Sequence, residues 1–550
     1  MIVSIFARVR SGSREDLSNY LLPLLMLLTV AVTAGALAWS CANHYIITYG
    51  DAVTHLFISR RVIDNITPGA AQLGTVWLPL LHVLQLPFIW NDYLWHSGLA
   101  GGIVSTVAAW GSVFFAFRLA QDLTGSKFAG FAAGLLLLSN PNLLYMQTTP
   151  MGESLFICTT LGSAHYLMRW VRDSRDQDLV LAGLFGLLTA FNRYEGWALI
   201  LAQAVVVAII GWRRRGWAAG EGLGLAYASL AGLAPLLWFA WNWVIFGNPF
   251  SFLRGPFSSR SNVELMVRRA GITSPTLHDL PADFRYYGAA VYDMAGPVLS
   301  IAAVAAAVYL VLRLLRKAPG ANLLVLSSLA APGLFSILTL YQGSSIIFVR
   351  SLPPYETFNV RYGLYIFPFL LGLAALLVRF PRGNLLLSAL VVAQLVLLAM
   401  GPSATSFDEP QVSVTACAAA GKVRSASGAC VGLTGAPQYL QQNYHGGKIL
   451  ISSRIEWVLH NSGLPIREFI HEGNQRLWEE ALDDPTPYAR WIVMVAGAQP
   501  GLEDDLVFLG LHDSPAVAAN YTKVFERQGV AIYQRNDEVP PPSGVSGEPP

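Results

Sequence analysis

The sequence predicts a mainly α, polytopic membrane helical bundle with a small α/β domain at its C-terminal end. Three observations lead there. Hydrophobic residues make up 54% of 550, charged residues only 13%, and the mean hydropathy is +0.46. A soluble globular chain carries about 25% charged residues, so that class is excluded. The apolar residues are gathered into runs near the length of about 20 residues that hydrocarbon requires, and the polar residues into three long segments. The net charge of +2 offers no electrostatic footprint for nucleic acid. Four cysteines exclude both a disulfide-built scaffold and a cysteine-rich metal module.

Taken in order, residues 1–20 form a polar cytoplasmic N-terminus bearing Arg8, Arg10 and Arg14. The apolar run 21–41 follows and is expected to stay as an uncleaved first helix, because many more runs come after it. Those are 97–117, 128–147, 154–170, 179–191, 196–211, 217–245, 297–312, 321–342, 359–378 and 383–401, giving about 11 spans within a membrane domain of 21–401. Runs 179–191 and 196–211 are short and are read as two half-depth helices joined at Asn192-Arg193-Tyr194-Glu195. The three polar segments are loops 42–96 and 246–296 and the tail beyond Pro402. In the tail, Lys448–Ser452, Trp491–Val495 and Val530–Gln534 read as strands, with helix-like stretches near 472–482 and 515–521. The tail is thus expected to fold as an α/β domain over 402–535, before a disordered, proline-rich end at 536–550.

Lysine and arginine cluster in alternate short loops (Arg213, Arg214 and Arg215; Arg313, Arg316 and Lys317; Arg379 and Arg382), which assigns those loops to the cytoplasm. An odd number of crossings then puts the C-terminus and all three polar segments on the outer side of a plasma (inner) membrane. Cys417 and Cys430, on that oxidising side, are expected to form a disulfide.

Ionisable residues at membrane depth are functional candidates by default. Asp51, in Tyr49-Gly50-Asp51-Ala52, opens an amphipathic stretch with Thr54, His55 and Arg61 on one face, suited to the interface plane. Downstream, Gly74-Thr-Val-Trp77-Leu-Pro79-Leu-Leu-His82 reads as a re-entrant segment packed against protein, since irregular backbone cannot face lipid. Glu153, Arg193 with Glu195, and Arg361 with Tyr362 complete an outer-side set. A structural reading stands beside each. Asp51 would be a helix N-cap, with His55 as its hydrogen-bond partner, and Trp77 an interfacial anchor. Glu153 would answer a helix dipole, Arg193 and Glu195 would neutralise each other, and Arg361 would snorkel to water.

Taken together, the motifs Tyr49-Gly-Asp51-Ala, Gly74-Thr-Val-Trp77-Leu-Pro79-Leu, Pro150-Met-Gly-Glu153, Asn192-Arg-Tyr-Glu-Gly196 and Asn359-Val-Arg-Tyr362 make the chain resemble the GT-C superfamily of polyprenyl-phosphate-sugar-dependent glycosyltransferases. The branch it is most similar to holds protein O-mannosyltransferases and lipid A aminoarabinose transferases (glycosyltransferase family 39-like), over about residues 20–400. The resemblance implies inverting transfer of a sugar from a polyprenyl-phosphate donor to a protein, lipid or glycan acceptor. Asp51 would be the catalytic carboxylate with Glu153 assisting. Arg361 and Arg193 would hold the donor phosphate, and His55, Glu195, Tyr362, Trp77 and His82 would support. The resemblance fixes no cofactor; a divalent metal, if used, would sit on Asp51 and Glu153. Several branches carry a second acid directly after the first-loop Asp, whereas Ala52 stands there here. The competing classes are a lipid-linked-sugar flippase or secondary transporter and a non-catalytic GT-C-like membrane protein.

Overall fold

The computed structural model describes residues 18–255, 258–261, 263–264, 274–315, 320–401, 405–406, 408–409, 423–424, 430–431, 435–497, 505–527 and 529–536. The expected disulfide, the cytoplasmic end and the proline-rich terminus lie outside the described residues. The chain divides into two compact units. One comprises 1–43, 75–81 and 102–409, the other 44–74, 82–101 and 410–550.

The first unit is helical, and every apolar run noted above lies mainly in helix. Among the described residues, six helices are individually long and apolar enough to cross a membrane (Leu21–Ala42, Leu99–Thr124, Glu195–Arg215, Leu280–Leu312, Ala321–Tyr341 and Val360–Arg379), with Trp217–Ala231 and Leu233–Phe246 a further pair bent by 42°. Their outward faces carry Leu27, Leu201, Leu236, Val244 and Ile301, all more than 60% exposed. Such a surface has hydrocarbon as its natural solvent, and the protein is a multi-pass membrane protein.

The pair around Asn192 is longer than half-depth: Asp176–Asn192 has 17 residues and Glu195–Arg215 has 21, about 25 and 31 Å at 1.5 Å per residue. Hydropathy hides the length because the ends are charged. Asp176 and Asp178 occupy the first turn of one helix and Arg213, Arg214 and Arg215 the last turn of the other, each sign where the helix dipole favours it.

Breaks fall where proline dictates. Run 128–147 is two helices, Lys127–Leu138 and Pro141–Met146, because Pro141 has no N–H to continue the first. Asn140 caps the second, its Oδ1 accepting from Leu143 N at 3.0 Å. The helix Leu280–Leu314 is interrupted at Gly296 (φ 76°) and Pro297, which strips carbonyls near residue 294 of their helical donors. Asn142 Nδ2 donates to Asp293 O and Met294 O, both at 3.0 Å, and Asn140 Nδ2 to Met294 O at 2.9 Å. Residues 280–295, left in the second loop by the sequence reading, are thereby helical and docked.

The second unit is the α/β one. Its five-stranded sheet has the order Phe469–Ile470, Ile449–Ile451, Trp491–Val495, Val530–Arg535, Tyr521–Arg527. The first three strands are mutually parallel and the last two antiparallel. Side chains alternate between two cores, as the strand period requires. Leu450, Ile470, Ile492 and Met494 face Trp478, Val507 and Leu511. On the other side, Ile449, Ile451, Trp491, Val493 and Ile532 face Leu440, Trp457 and Val458 together with Leu56, Phe57, Ile89 and Trp95 of the first loop. The unit is therefore wider than the tail: residues some 400 positions apart in the chain share one core.

The 3-10 segment Val360–Ile366 packs on the helix Leu280–Leu314 at a point of very close approach. A Cβ on Gly363 would stand 2.4 Å from Ala290 O and 2.6 Å from its carbonyl carbon. Both obstacles are backbone. Gly363→Ala should therefore cost about 1–3 kcal/mol, the usual range for overpacking, and lower the thermal unfolding temperature of the detergent-solubilised protein. An unshifted transition would mean the two segments separate readily.

Candidate functional site

The first unit buries a charge cluster built from three helix ends. Glu153 is the first residue of helix Glu153–Asp173, favoured there by the dipole but fully buried (0% exposed), so it is more than a solvated cap. Asn192 ends its helix and donates Nδ2 to Gly152 O at 2.8 Å, which ties the neighbouring turn to Glu153. Arg193 and Tyr194 then join two helices in extended and helical conformations. Arg193 Nη1 meets Glu153 Oε1 at 3.4 Å and its Nε meets Glu195 Oε2 at 3.2 Å. From the 3-10 segment, Arg361 Nε lies 3.4 Å from the same Glu153 oxygen. Tyr365 donates its hydroxyl to that oxygen at 3.4 Å.

Aromatic rings close the cluster. The Arg193 guanidinium stands 4.4 Å from the Tyr365 ring centroid, and the Arg193 and Arg361 guanidiniums each stand 5.5 Å from Tyr362. Glu409, 7% exposed, reaches Arg361 at 4.0 Å and accepts from Asn359 N at 2.7 Å. Glu409 and Tyr365 were not picked out from sequence. Tyr365 lies four residues beyond Arg361, a spacing that would share a face in an α-helix but not in the 3-10 segment observed, whereas Glu409 follows the last span and has no local signal.

Trp77 also belongs to this unit and is half-buried. Its segment is anchored by Tyr194, which donates to Val76 O at 2.6 Å, and by a short contact between Thr75 and Asn242. Leu78 packs with Trp238 and Phe252. The segment is irregular backbone held by protein.

Asp51, His55 and His82 fall in the second unit. Tyr49 is the N-cap of helix Gly50–Arg61 and Asp51 lies one residue inside it, in the first turn, so the capping reading is corrected. The interface-plane reading is corrected too, since Leu56 and Phe57 face the α/β core and Ile63 is 45% exposed. His55 pairs with His82, Nδ1 to Nε2 at 2.8 Å, and Ser59 donates to Gln85 Oε1 at 2.6 Å one turn on. Arg61 donates Nε to Gln72 O at 2.6 Å. Burial lowers it to about 10 against the pull of Glu456 and Glu472. Asp64 is a buried structural acid, 3.2 Å from Arg60 and 3.5 Å from Arg467. Among the described residues no group of three or more His, Cys, Asp or Glu side chains gathers at metal-ligand spacing, and Asp51 and Glu153 belong to different units.

One unit is a helical membrane bundle with a buried Arg–Glu cluster, and the other is an α/β unit that takes in the first loop. The chain is similar in fold to solved structures of ArnT from Cupriavidus metallidurans. The form bound to undecaprenyl phosphate aligns with a TM-score of 0.52 at 14% identity, covering 94% of this chain and 99% of that one. The apo form aligns with a TM-score of 0.42 at 13% identity over the same shares. No protein-family profile and no curated relative matches the sequence.

Glu153→Gln removes a carboxylate shared by the two guanidiniums and leaves them short of counter-charge. Breaking a buried ion pair on one side costs about 3–5 kcal/mol. The variant should unfold at clearly lower temperature or denaturant than the parent. A difference below about 1 kcal/mol would mean that water already screens the cluster.

Proposed function

We propose that this protein is an integral-membrane glycosyltransferase that moves a sugar from a polyprenyl-phosphate donor to a glycan, lipid or protein acceptor on the outer membrane face. The observation that carries the reading is the convergence of Arg193 and Arg361 on one buried carboxylate, Glu153. Formally the cluster holds two cations against Glu153, Glu195 and Glu409, so an incoming phosphate must compete for the guanidiniums. The geometry favours that exchange. The carboxylates are met at 3.2–4.0 Å, longer than the 2.7–2.9 Å of tight charge-assisted bonds, and each guanidinium has five N–H donors. A phosphate offering shorter, bidentate contacts wins them.

In the proposed reaction Asp51 acts as general base. It takes the proton from the acceptor hydroxyl or amine as that atom attacks the anomeric carbon. The bond from that carbon to the phosphate oxygen breaks with its electron pair going to polyprenyl phosphate, and the configuration inverts. Arg361 and Arg193 stabilise the charge that develops on the leaving phosphate. Glu153 assists by holding the two guanidiniums in register. The solved ArnT structure with undecaprenyl phosphate bound supports the donor class by likeness of fold. The N-terminus is assigned to the cytoplasm and the α/β unit to the outside, in keeping with the arginine-rich loops.

Transfer from a panel of polyprenyl-phosphate sugars by the purified protein tests the reading, and transport without transfer would replace it with the flippase alternative. Asp51→Asn should lower turnover at least about a hundredfold, since positioned acid–base catalysis contributes about 10²–10⁴-fold, while donor binding is kept. Asp64 is too deeply bonded to serve as its comparator; Asp513, with an 87% exposed side chain, serves instead. Near-normal turnover of Asp51→Asn would return the base to Glu153 or Glu195.

Arg361→Ala should weaken donor binding about tenfold or more, given about 1.5–3 kcal/mol for a charge-assisted contact. Arg379 donates to Leu123 O at 2.6 Å, so exposed Arg215 is the cleaner reference. Equal affinities of the Arg361→Ala and Arg215→Ala variants would remove Arg361 from the phosphate site.

A further inference from the structure

The helix that carries Asp51 is held at its start by an acid from the distant tail of the same unit. Glu456, first residue of helix Glu456–Ser462, is 3% exposed. Its Oε1 meets the Thr54 hydroxyl in a very short hydrogen bond. Thr54 Oγ1 also lies 3.3 Å from Gly50 O, the carbonyl of the peptide that joins Gly50 to Asp51. A hydroxyl carries one proton and here has two oxygen partners. When Thr54 donates to Gly50 O, the second proton must come from Glu456.

The surroundings favour that protonated form. The charged groups facing Glu456 are Arg61 and Asp51 from helix Gly50–Arg61 and Glu472 from the turn Glu472–Asn474. Two carboxylates thus oppose one guanidinium. The guanidinium is itself engaged with Gln72 O. Glu472 is committed to the turn before Glu456, accepting from Ser452 Oγ and Ser453 N at 2.8 Å and from Ser453 Oγ at 2.5 Å. The neighbouring His471 is kept neutral by burial, at about 3. Burial pushes Glu456 up to about 8 against the opposing pull of the Thr54 hydroxyl and Arg61, with Glu472 and Asp51 adding to the rise.

We propose that Glu456 is a positioning residue for Asp51: its carboxyl donates to Thr54, Thr54 donates to Gly50 O, and the relay fixes the first helical turn from which Asp51 projects. This rests on the reading of Asp51 as the base. It gives the α/β unit a part in the chemistry that neither its sheet nor its cores explain.

Two variants separate a hydrogen-bond donor from mere bulk. Glu456→Gln keeps a donor that cannot ionise, and Glu456→Ala removes it. In purified full-length protein, Glu456→Ala should speed amide hydrogen exchange over residues 50–57 about tenfold or more, as local opening becomes cheaper. It should also lower kcat about tenfold with donor KM unchanged, misplacement of a catalytic group by about 1 Å being worth up to about 10². Glu456→Gln should keep parental exchange and kcat. In the parent, kcat should fall as pH rises through about 8, where the carboxyl loses the proton it donates; in Glu456→Gln that alkaline loss should vanish.

Thr54→Ala, which removes the middle of the relay and leaves Glu456 in place, should reproduce Glu456→Ala and covers the case in which that variant folds poorly. Parental exchange in both relay variants, equal kcat in Glu456→Ala and Glu456→Gln, or an unchanged alkaline limb in Glu456→Gln would overturn the proposal. If the parent transfers sugar from no donor while Asp51→Asn and the parent bind donors alike, the glycosyltransferase reading fails. The exchange comparison then still decides whether the relay exists.

Discussion

The constraint on which the first unit depends is the cost of holding charge out of water. An isolated ion in a low-dielectric interior is penalised by several kcal/mol even after relaxation. Arg193, Arg361 and Glu153 are tolerable there only as a set, and the set dictates much around it. Asn192 must bond Gly152 so that Glu153 meets Arg193. Gly363 must lack a side chain so that the Arg361 segment can press on the helix Leu280–Leu314. Tyr362 and Tyr365 add their ring faces to the carboxylates that surround the Arg193 guanidinium. The three helix ends are fixed by what they share, and apolar packing fills in around them.

The same economy appears at neutral groups. A proline-broken helix in a membrane exposes carbonyls that no lipid can satisfy. Here Asn140 and Asn142 supply the donors for the break at Gly296 and Pro297. The two asparagines belong to a short helix that Pro141 itself starts, so one proline break presents the amides that repair another.

Much of this was legible in the sequence. Long apolar runs announce helices because hydrocarbon imposes length and composition together, and helical structure lies over every run named from hydropathy. The strands Ile449–Ile451, Trp491–Val495 and Val530–Arg535 showed themselves as short β-branched runs. Glu153, Arg193, Glu195, Arg361 and Tyr362 stood out because ionisable groups at membrane depth are rare, and the structure gathers all five. Partnerships across the chain were not legible. Nothing near Thr54 announces Glu456, and nothing near residue 400 marks Glu409 as a neighbour of Arg361. Helix Gly50–Arg61 buries Ala52, Leu56 and Phe57 but also His55 from the face read as polar, and periodicity shows only that a face is buried. It does not say whether lipid or a protein core covers it.

The shared core of the α/β unit also sets a timetable. Leu56, Phe57, Ile89 and Trp95 leave the ribosome hundreds of residues before Ile449, Trp491 and Ile532, against which they finally pack. At synthesis rates of about 5–20 residues per second, the first loop waits roughly half a minute with its apolar face uncovered. During that interval the membrane spans are being threaded one after another. Whatever shields the loop meanwhile, a chain cut short before the last strand can never finish the unit. Synthesis through the strand Val530–Arg535 is thus a condition for completing the core against which Leu56 and Phe57 pack.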